Sequence, residues 1–264
     1  MRFIFPSDPL DPKEVDPTFV DQRNAFLEAG YDISTISIEY LQVGESKIYP
    51  SIKHDELAVY RGWMMNEQEY KTFISSILCV GGKPLIDLPT YLSCHHLPNW
   101  YKLISDLTPQ TQIFPADADL KAELDTLGWE SFFVKDYVKS LKTGSGSLLQ
   151  STDGLDDLVH NMEKYRGQIE GGFCIREVEE FDLDSEERFF VINGKPFSSD
   201  TSQVVPNIVK QVTSRIQSPF YSIDVVRRSD GVDRIVEIGD GQVSDLVGWT
   251  AERFVEIWNA SCYL

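Results

Sequence analysis

Two carboxylates near the end of the chain are the residues best suited to bind a metal ion. Asp224 lies in the run 221–226, and Glu237 lies in the run 234–241. Both runs are rich in β-branched and aromatic residues, and the Asp-Gly pair between them predicts a β-hairpin. Alternation lets the two carboxylates point to one face, where a cation must offset their repulsion. A divalent metal ion is the simplest candidate, and an acidic hairpin with both carboxylates in solvent is the alternative.

A lysine-bearing strand and a glycine-rich loop upstream could bind phosphate. Residues 131–139 predict a strand with Lys135 and Lys139 on one face, because side chains four residues apart share a face. The strand leads into the loop 142–147, whose glycines can present backbone N–H groups to phosphate oxygens. The loop is not a P-loop, because no lysine follows its second glycine, and ordinary hairpin loops have the same composition.

Arg61 directly follows a short apolar run, 57–60, that predicts a strand. Because α/β sheets bind ligands at the carboxyl ends of their strands, Arg61 is a candidate for contact with an anionic substrate group or a phosphate. The alternative interpretation is a surface arginine that packs on Trp63.

The pattern of residues 1–112 predicts a small α/β domain with parallel strand pairing. Asp16-Pro17 is a typical helix start, with aspartate as the N-cap and proline at the first helical position. The predicted elements are strands 2–5, 33–38, 57–60 and 85–86, and helices 17–29, 67–78 and 91–107.

Residues 113–264 predict an α+β domain with antiparallel sheets, formed by a smaller lobe, 113–180, and a second lobe, 181–264. The domain boundary is expected within 108–118. Asn193-Gly194 marks a hairpin turn. The other predicted elements are a helix capped by Asp117, a helix that begins at 153–155, a strand at 172–181 and a helix at 204–216.

The composition is that of a globular chain with a large acidic excess. Of 264 residues, 42% are hydrophobic, and 24 basic against 42 acidic residues give a net charge of -18. Without a basic patch, this charge disfavours nucleic acid and anionic membrane as partners. No run approaches the roughly 20 apolar residues that cross a bilayer, and the N-terminal segment lacks a signal-peptide pattern. The four cysteines lack metal-ligand spacing, so a reduced, cytoplasmic location is expected.

The order of these motifs resembles the ATP-grasp superfamily, in the compact form found in many bacterial and phage proteins. The resemblance covers residues 115–264 and extends more loosely to the α/β N-terminal part. It depends on five features in sequence: the strand with Lys135, the loop with Gly144 and Gly146, the segment 176–179, the strand with Glu187-Arg188, and the pair Asp224 and Glu237.

The resemblance implies a role for each of these residues. Lys135, with Lys139 as a second lysine, would contact the nucleotide, and the loop with Gly144, Ser145 and Gly146 would cover the β- and γ-phosphates. In the nucleotide-binding segment that begins at Arg176, Glu177 and Val178 would provide the hinge that hydrogen-bonds adenine, and Glu179 or Glu180 would bind the ribose. Arg188 would face the γ-phosphate or an acyl phosphate. Asp224 and Glu237 would hold magnesium, with oxygen ligands of the kind that this ion prefers.

One position departs from the family pattern. Members usually carry Glu-x-Asn on the last strand, whereas this chain has Glu237-Ile238-Gly239. The third metal ligand is therefore expected to be Asp240 or to be absent.

The implied reaction is an ATP- and magnesium-dependent joining of a carboxylate to an amine through an acyl phosphate. The substrates would be a small-molecule or peptide carboxylate and an amine acceptor, and Tyr60, Arg61 and Trp63 are expected to line the acceptor pocket. Two alternatives stay open: an inactive ATP-grasp-fold protein that binds a protein partner in an immunity or regulatory role, and a kinase that phosphorylates a small molecule. The oligomeric state is open as well, with a homodimer as one candidate.

Overall fold

The computed structural model describes residues 1–138, 147–166 and 169–261, with residues 165 and 166 described by their backbone alone. The chain divides into two compact units. Unit 1 consists of residues 1–94, 187–224 and 239–264, and unit 2 consists of residues 95–186 and 225–238. The predicted first domain, 1–112, thus contributes to both units, since its last residues group with unit 2.

Helices and strands alternate along the first half of the chain, and strands predominate in the second. The described strands are β1 Arg2–Pro6, β2 Asp32–Ile36, β3 Ile48–Tyr49, β4 Leu57–Tyr60, β5 Lys83–Pro84, β6 Thr111–Pro115, β7 Phe132–Asp136, β8 Leu148–Leu149, β9 Gly172–Glu177, β10 Phe181–Ile192, β11 Lys195–Phe197, β12 Phe220–Arg228 and β13 Asp233–Asp240. The described α-helices are α1 Val20–Glu28, α2 Ile38–Gln42, α3 Glu67–Cys79, α4 Leu88–His95, α5 Leu97–Ile104, α6 Leu120–Leu124, α7 Leu155–Arg166, α8 Asn207–Thr213 and α9 Ala251–Asn259.

A five-stranded sheet in the order β3-β2-β1-β4-β5 forms the base of unit 1. β1 pairs in parallel with both β2 and β4, as the sequence predicted, and β3 is antiparallel to β2. Aromatic side chains pack α1 against β1 and α9: the rings of Phe3 in β1 and Phe26 in α1 stack at 3.8 Å, and Phe26 meets Phe254 of α9 edge to face. The core of unit 1 is therefore built from both ends of the chain.

The helix starts in unit 1 follow from side-chain caps. The Asp16 carboxylate accepts from the Thr18 backbone N–H at the start of a short 3-10 helix that leads into α1, as predicted. Asn66 and Glu69 form a reciprocal capping box at the start of α3. Each cap satisfies backbone donors that a helix N-terminus otherwise leaves unpaired.

Several predicted boundaries are wrong for local reasons. The helix expected over 91–107 is two helices, α4 and α5, because Pro98 begins a new helix with His96 as its N-cap. The cap before α6 is Asp119 rather than Asp117, since the Asp119 side chain accepts from the Ala122 N–H. The helix expected from Val204 begins only at Asn207, after Pro206.

Unit 2 is built on an antiparallel sheet in the order β6-β9-β7-β8. Its apolar core comes from α6, α7 and the inward side chains of β7 and β9, including Val134, Leu158, Met162 and Ile175. The strand predicted over 172–181 ends at Glu177, and the chain enters β10 at Phe181.

A further four-stranded sheet has the order β11-β10-β12-β13 and contains both predicted hairpins. Asn193 and Gly194 both have positive φ, which matches the Asn-Gly turn between β10 and β11. Gly231, with φ 86°, closes the turn between β12 and β13. The α+β fold class, with antiparallel sheets following an α/β N-terminal region, is confirmed.

Three of the four cysteines lie in the described part of the chain. Cys79, Cys94 and Cys174 are free thiols, and burial raises the pKa of both Cys94 and Cys174 to about 12. Among the described residues, no helix combines the length and the apolar character that a bilayer crossing requires.

Candidate functional site

In unit 1, Arg188 of β10 and Asp224 of β12 form a bidentate ion pair. Arg188 Nε donates to Asp224 Oδ1 at 2.7 Å, and Nη2 donates to Oδ2 at 2.6 Å. The side chains are only 14% and 6% exposed. Arg188 also donates to the Asp245 carbonyl at 2.8 Å. The structure thus brings together the residue predicted to face phosphate and a residue predicted to hold metal.

Asp224 is held away from bulk water by its strand. Its neighbours in β12, Ile223 and Val225, are buried, as is the whole segment from Phe220 to Val226. A buried carboxylate needs a counter-charge or hydrogen bonds to stay ionised, and the Arg188 fork supplies both.

Arg61 is buried at the carboxyl end of β4 and does not lie on the surface. Its guanidinium donates to Gln22 Oε1 at 3.0 and 3.2 Å and to the Gly241 carbonyl, and it lies over the Phe254 ring. Burial lowers the pKa of Arg61 to about 9. Of the three residues predicted to line the acceptor pocket, Tyr60 and Arg61 are buried, whereas Trp63 is 43% exposed.

Asp240 is fully buried, and one of its oxygens has no hydrogen-bond partner among the described residues. Oδ1 accepts from the Gln242 backbone N–H at 3.0 Å and from its side-chain amide at 3.2 Å, whereas Oδ2 is unpaired. Burial raises the pKa of Asp240 to about 7, although the Gln242 hydrogen bonds and the charge of Arg61 oppose the shift.

Gln242 connects Asp240 to the α/β part of unit 1. Its side-chain amide donates to Tyr70 Oη at 2.7 Å and its Oε1 accepts from the Tyr60 N–H at 3.1 Å. The Gly62 N–H donates to the Gln242 carbonyl at 3.0 Å. Gln242 was not among the residues predicted from the sequence, because its partners Tyr60 and Tyr70 are too distant in sequence to predict.

Gly239 occupies the position where the family pattern has asparagine, and the space beside it is filled. A Cβ at this position would lie 2.8 Å from Ser244 Oγ and 2.9 Å from Ser222 Oγ. These two hydroxyls are hydrogen-bonded to each other at 2.7 Å. The departure from Glu-x-Asn therefore has a packing reason.

In unit 2, Lys135 of β7 and Glu237 of β13 form a looser ion pair. Lys135 Nζ lies 3.3 Å from Glu237 Oε1, and the two side chains are 8% and 42% exposed. Lys135 is buried among sheet residues while its ammonium reaches a carboxylate that still faces solvent. These are again a predicted phosphate-binding residue and a predicted metal-binding residue.

Arg176 supports the strand that carries Glu237. Its Nη1 donates to the Val236 carbonyl at 2.7 Å, and its Nη2 donates to Thr108 Oγ1. Burial lowers the pKa of Arg176 to about 10, against the opposing charge of Glu237. The arginine predicted to lie in the hinge segment is thus a buried contact from β9 to the backbone of β13.

The predicted ribose-binding residues are held by the β12–β13 turn. Glu179 accepts from Arg234 Nε and Nη2 at 2.9 and 2.7 Å and from Arg228 at 3.3 Å, and Glu180 accepts from Ser229 Oγ at 3.1 Å. In the hinge itself, the Glu177 N–H donates to the Gln110 carbonyl, and Val178 is partly exposed.

Some predicted site residues lie outside the described part of the chain. These are Lys139, Gly144, Ser145 and Gly146. Ser147, which follows them, is buried, and its carbonyl accepts from the Val134 N–H at 2.8 Å. Among the described residues, no group of three or more histidine, cysteine, aspartate or glutamate side chains is arranged to hold a metal ion.

Comparison with known proteins identifies one family. A family model described as "ATP-grasp domain, R2K clade family 3" matches residues 126–258, half of the chain. No curated protein is similar enough in sequence to match the chain.

Several solved structures share the fold over nearly the whole chain. D-cycloserine synthetase DcsG is 12% identical with a TM-score of 0.65, covering 98% of this chain and 99% of that one. D-alanine–D-alanine ligase from Bacillus anthracis, in complex with ATP, is 13% identical with a TM-score of 0.61, covering 99% and 97%. The ATP-grasp ligase PsnB, in complex with a minimal precursor, Mg and ADP, is 11% identical with a TM-score of 0.58, covering 98% and 96%. At these identities the likeness concerns the fold.

Proposed function

Because the chain belongs to the ATP-grasp domain family, R2K clade family 3, we propose that it is an ATP- and magnesium-dependent ligase that joins a carboxylate to an amine. Family membership supports the enzyme class, an ATP-dependent ligase of the ATP-grasp type. The observation that carries the proposal is the occurrence of two cation–carboxylate pairs, Arg188 with Asp224 and Lys135 with Glu237. Each pair joins a residue expected to bind phosphate to one expected to bind metal.

The donor set suits magnesium better than a softer metal. Asp224, Glu237 and Asp240 offer carboxylate oxygens, which this ion prefers, and the partnerless Oδ2 of Asp240 is a buried acceptor without a donor. Magnesium bound by these residues would neutralise charge on the ATP phosphates. Gly239 leaves no room for the asparagine ligand of the family pattern, so Asp240 is the candidate for that role.

The chain's cations would do the electrostatic work of phosphoryl transfer. In the free protein, Arg188 and Lys135 are neutralised by their carboxylate partners. When nucleotide binds, the two cations would turn to the phosphate oxygens and stabilise the charge that develops on the transferred group. The substrate carboxylate would attack the γ-phosphate and release ADP, and the amine would then displace phosphate from the acyl phosphate to form the amide.

The remaining nucleotide contacts are proposed from the family resemblance. Lys139 and the loop with Gly144, Ser145 and Gly146 would cover the phosphates. The hinge segment of Arg176, Glu177 and Val178 would contact adenine, and Glu179 or Glu180 would bind the ribose. Glu179 is held by Arg228 and Arg234, so its carboxylate is oriented before any ligand arrives.

The acceptor side of the site is proposed to involve Trp63 directly and Arg61 indirectly. The Trp63 ring is exposed, and its indole N–H donates to Asp16 at 3.1 Å. Arg61 would act as a positioning residue, because its guanidinium holds the Gly241 carbonyl next to Asp240. The acid is proposed to be a small molecule or a peptide, as PsnB is described with a precursor. The free thiols of Cys79, Cys94 and Cys174 support a reduced, cytoplasmic location.

The first test is calorimetric titration of a non-hydrolysable ATP analogue with magnesium. We expect binding to the wild type and a loss of about tenfold to hundredfold in the Lys135→Met variant, since hydrogen bonds to charged groups contribute about 1.5–3 kcal/mol. Lys210→Met is the matched control, because Lys210 is exposed on α8. Absence of nucleotide binding to the wild type would overturn the ligase proposal and favour the inactive, protein-binding alternative.

The chemical outcome separates a ligase from a kinase. With acid and amine pairs as substrates, a ligase releases ADP and free phosphate in equal amounts and forms an amide. A stable phosphorylated product with no free phosphate would instead support direct phosphorylation of a small molecule.

A further inference from the structure

A cavity of about 230 Å³ lies in unit 1, and none of the residues proposed to bind nucleotide, metal or acceptor lines it. The loop after β1, helix α1 and strands β2 and β3 enclose it. The residues that matter for its chemistry are Lys13, Glu14, Arg23, Leu27, Ile33 and Tyr49. The volume is below the roughly 300–1,000 Å³ of pockets for drug-sized ligands, so it suits a molecule the size of a metabolite.

Arg23 is the most informative residue of the cavity, because its guanidinium makes only one long ion pair, with Glu14. Its side chain is 27% exposed, its nearest carboxylate oxygen, Glu14 Oε2, lies 3.9 Å away, and it makes no hydrogen bond to any described residue. By contrast, Arg2, Arg188 and Arg234 each donate to a carboxylate at 3.0 Å or less. A partly buried guanidinium has five N–H donors in a planar fork, which fits the two oxygens of a carboxylate.

Lys13 provides a second cation at the cavity. Its ammonium lies 5.2 Å from the centre of the Tyr49 ring and forms no ion pair with the described residues. Two of the three hydroxyls that line the cavity, those of Ser34 and Thr35, already donate to backbone carbonyls, whereas the third belongs to Tyr49. Ser34 Oγ donates to the Pro50 carbonyl at 2.6 Å, and Thr35 Oγ1 donates to the Pro12 carbonyl at 2.7 Å. The charged donors at the cavity are therefore Arg23 and Lys13, and the Tyr49 hydroxyl is a neutral donor beside them.

The rest of the cavity is apolar or aromatic. Leu27 and Ile33 form part of the wall, and half of the Tyr49 side chain is exposed. The Tyr49 ring offers apolar surface against which a planar or apolar group can pack. The Lys13 ammonium lies over the same ring, so a cation and an aromatic surface are adjacent in the cavity. The single carboxylate at the cavity, Glu14, disfavours a dianion such as phosphate, because two cations and one anion leave room for one negative charge.

We propose that this cavity binds a small monocarboxylate that carries a planar or apolar group. The carboxylate lies between Arg23 and Lys13, and the planar group lies against Tyr49 and Leu27. The site shares no residue with the proposed nucleotide-binding set, so its test does not depend on the ligase proposal. The carboxylate belongs either to a free acid or to the C-terminus of a peptide, and the probes below distinguish these sources.

The test is ligand titration by NMR or calorimetry on the full chain, with phenylacetate, its neutral isostere phenylacetamide, inorganic phosphate and the peptide N-acetyl-Gly-Phe. We expect phenylacetate or the peptide to bind, and neither the amide nor phosphate. Tighter binding of the peptide assigns the site to a peptide terminus, and tighter binding of phenylacetate assigns it to a free acid. Equal binding of phenylacetate and phenylacetamide, preference for phosphate, or no binding of either carboxylate would overturn the proposal.

Three variants locate the binding. Arg23→Gln should weaken binding about tenfold to hundredfold, the range for loss of hydrogen bonds to a charged group. Lys13→Gln should weaken it several-fold, and because Lys13 is exposed, a loss there does not reflect unfolding. Lys71→Gln removes the same charge from the exposed side of α3 and should leave affinity unchanged. Wild-type affinity in both Arg23→Gln and Lys13→Gln would place the ligand elsewhere and overturn the assignment.

Discussion

The cation–carboxylate pair in unit 1 is more deeply buried and more tightly hydrogen-bonded than the pair in unit 2. In unit 1, Arg188 and Asp224 are nearly buried and share two short hydrogen bonds, at 2.7 and 2.6 Å. In unit 2, Lys135 and Glu237 share one contact at 3.3 Å, and Glu237 is 42% exposed. Removing one partner of a buried bidentate ion pair lowers the free energy of unfolding by several kcal/mol, whereas a partly exposed single ion-pair contact contributes about 1 kcal/mol or less.

This difference has a consequence for ligand binding. A ligand that separates Lys135 from Glu237 loses little free energy of ion pairing, because the Glu237 carboxylate is already partly hydrated. A ligand that separates Arg188 from Asp224 must replace the two hydrogen bonds that the Asp224 oxygens accept from Arg188. Opening the pair in unit 1 therefore costs more free energy than opening the pair in unit 2.

The largest predicted effect is on folding stability when a carboxylate is removed. Asp224→Ala removes both carboxylate acceptors of the bidentate pair from the nearly buried Arg188 and should lower the free energy of unfolding by about 3–5 kcal/mol. Glu237→Ala should lower it by about 1 kcal/mol or less, because the lysine loses one partly exposed contact. Urea unfolding of both variants measures the difference. Equal decreases in the free energy of unfolding would show that the two ion pairs contribute equally to stability, against the difference inferred from their burial.

The second prediction concerns the pH dependence that Asp240 adds to unit 1. Its pKa in the folded chain is about 7, above the ordinary 3.8, so the folded state keeps a proton that the unfolded chain loses. Stability should therefore fall as pH rises from about 4 to about 7, by at most about 4 kcal/mol at about 1.4 kcal/mol per pKa unit.

The measurement is urea unfolding across this pH range with a chelator present, in wild type and in Asp240→Asn. The variant has no carboxyl to ionise, so its stability should decline less steeply with pH. Parallel curves for the two proteins would show that Asp240 ionises in the folded chain as it does in water.

The smallest predicted effect tests how tightly unit 1 is packed beside its carboxylates. Gly239→Asn restores the family pattern but places a Cβ within 3 Å of the Ser222 and Ser244 hydroxyls. Overpacking of this kind costs about 1–3 kcal/mol, which thermal unfolding can detect. Adding Ser222→Ala should recover part of the loss by removing one hydroxyl. A Gly239→Asn variant as stable as the wild type would mean that the segment shifts easily, against the firm packing inferred for unit 1.

The sequence predicted best those features that local chemistry controls. The Asn193-Gly194 turn, the Asp16 cap and the strand with Lys135 are all present, because turn geometry and capping depend on neighbouring residues. The family resemblance is confirmed by the match to residues 126–258. Boundaries failed where a nearby residue competed, as when Asp119 rather than Asp117 capped α6.

The partners of the charged residues were decided by the tertiary structure alone. Arg61 was expected near a ligand, yet it lies inside unit 1 because Gln22 and Gly241, far away in sequence, supply its acceptors. The long distance of 3.9 Å between Arg23 and Glu14 likewise could not be predicted from the residues around them in sequence.

By itself, the sequence determined the α+β fold, the family and the set of cations and carboxylates, since residue types and local periodicity are properties of the chain. The tertiary structure decided which cation faces which carboxylate, and that Gly239 is enclosed by two hydroxyls. The physical reason is that burial and ion pairing depend on residues brought together from distant segments, and a linear pattern does not record these distances.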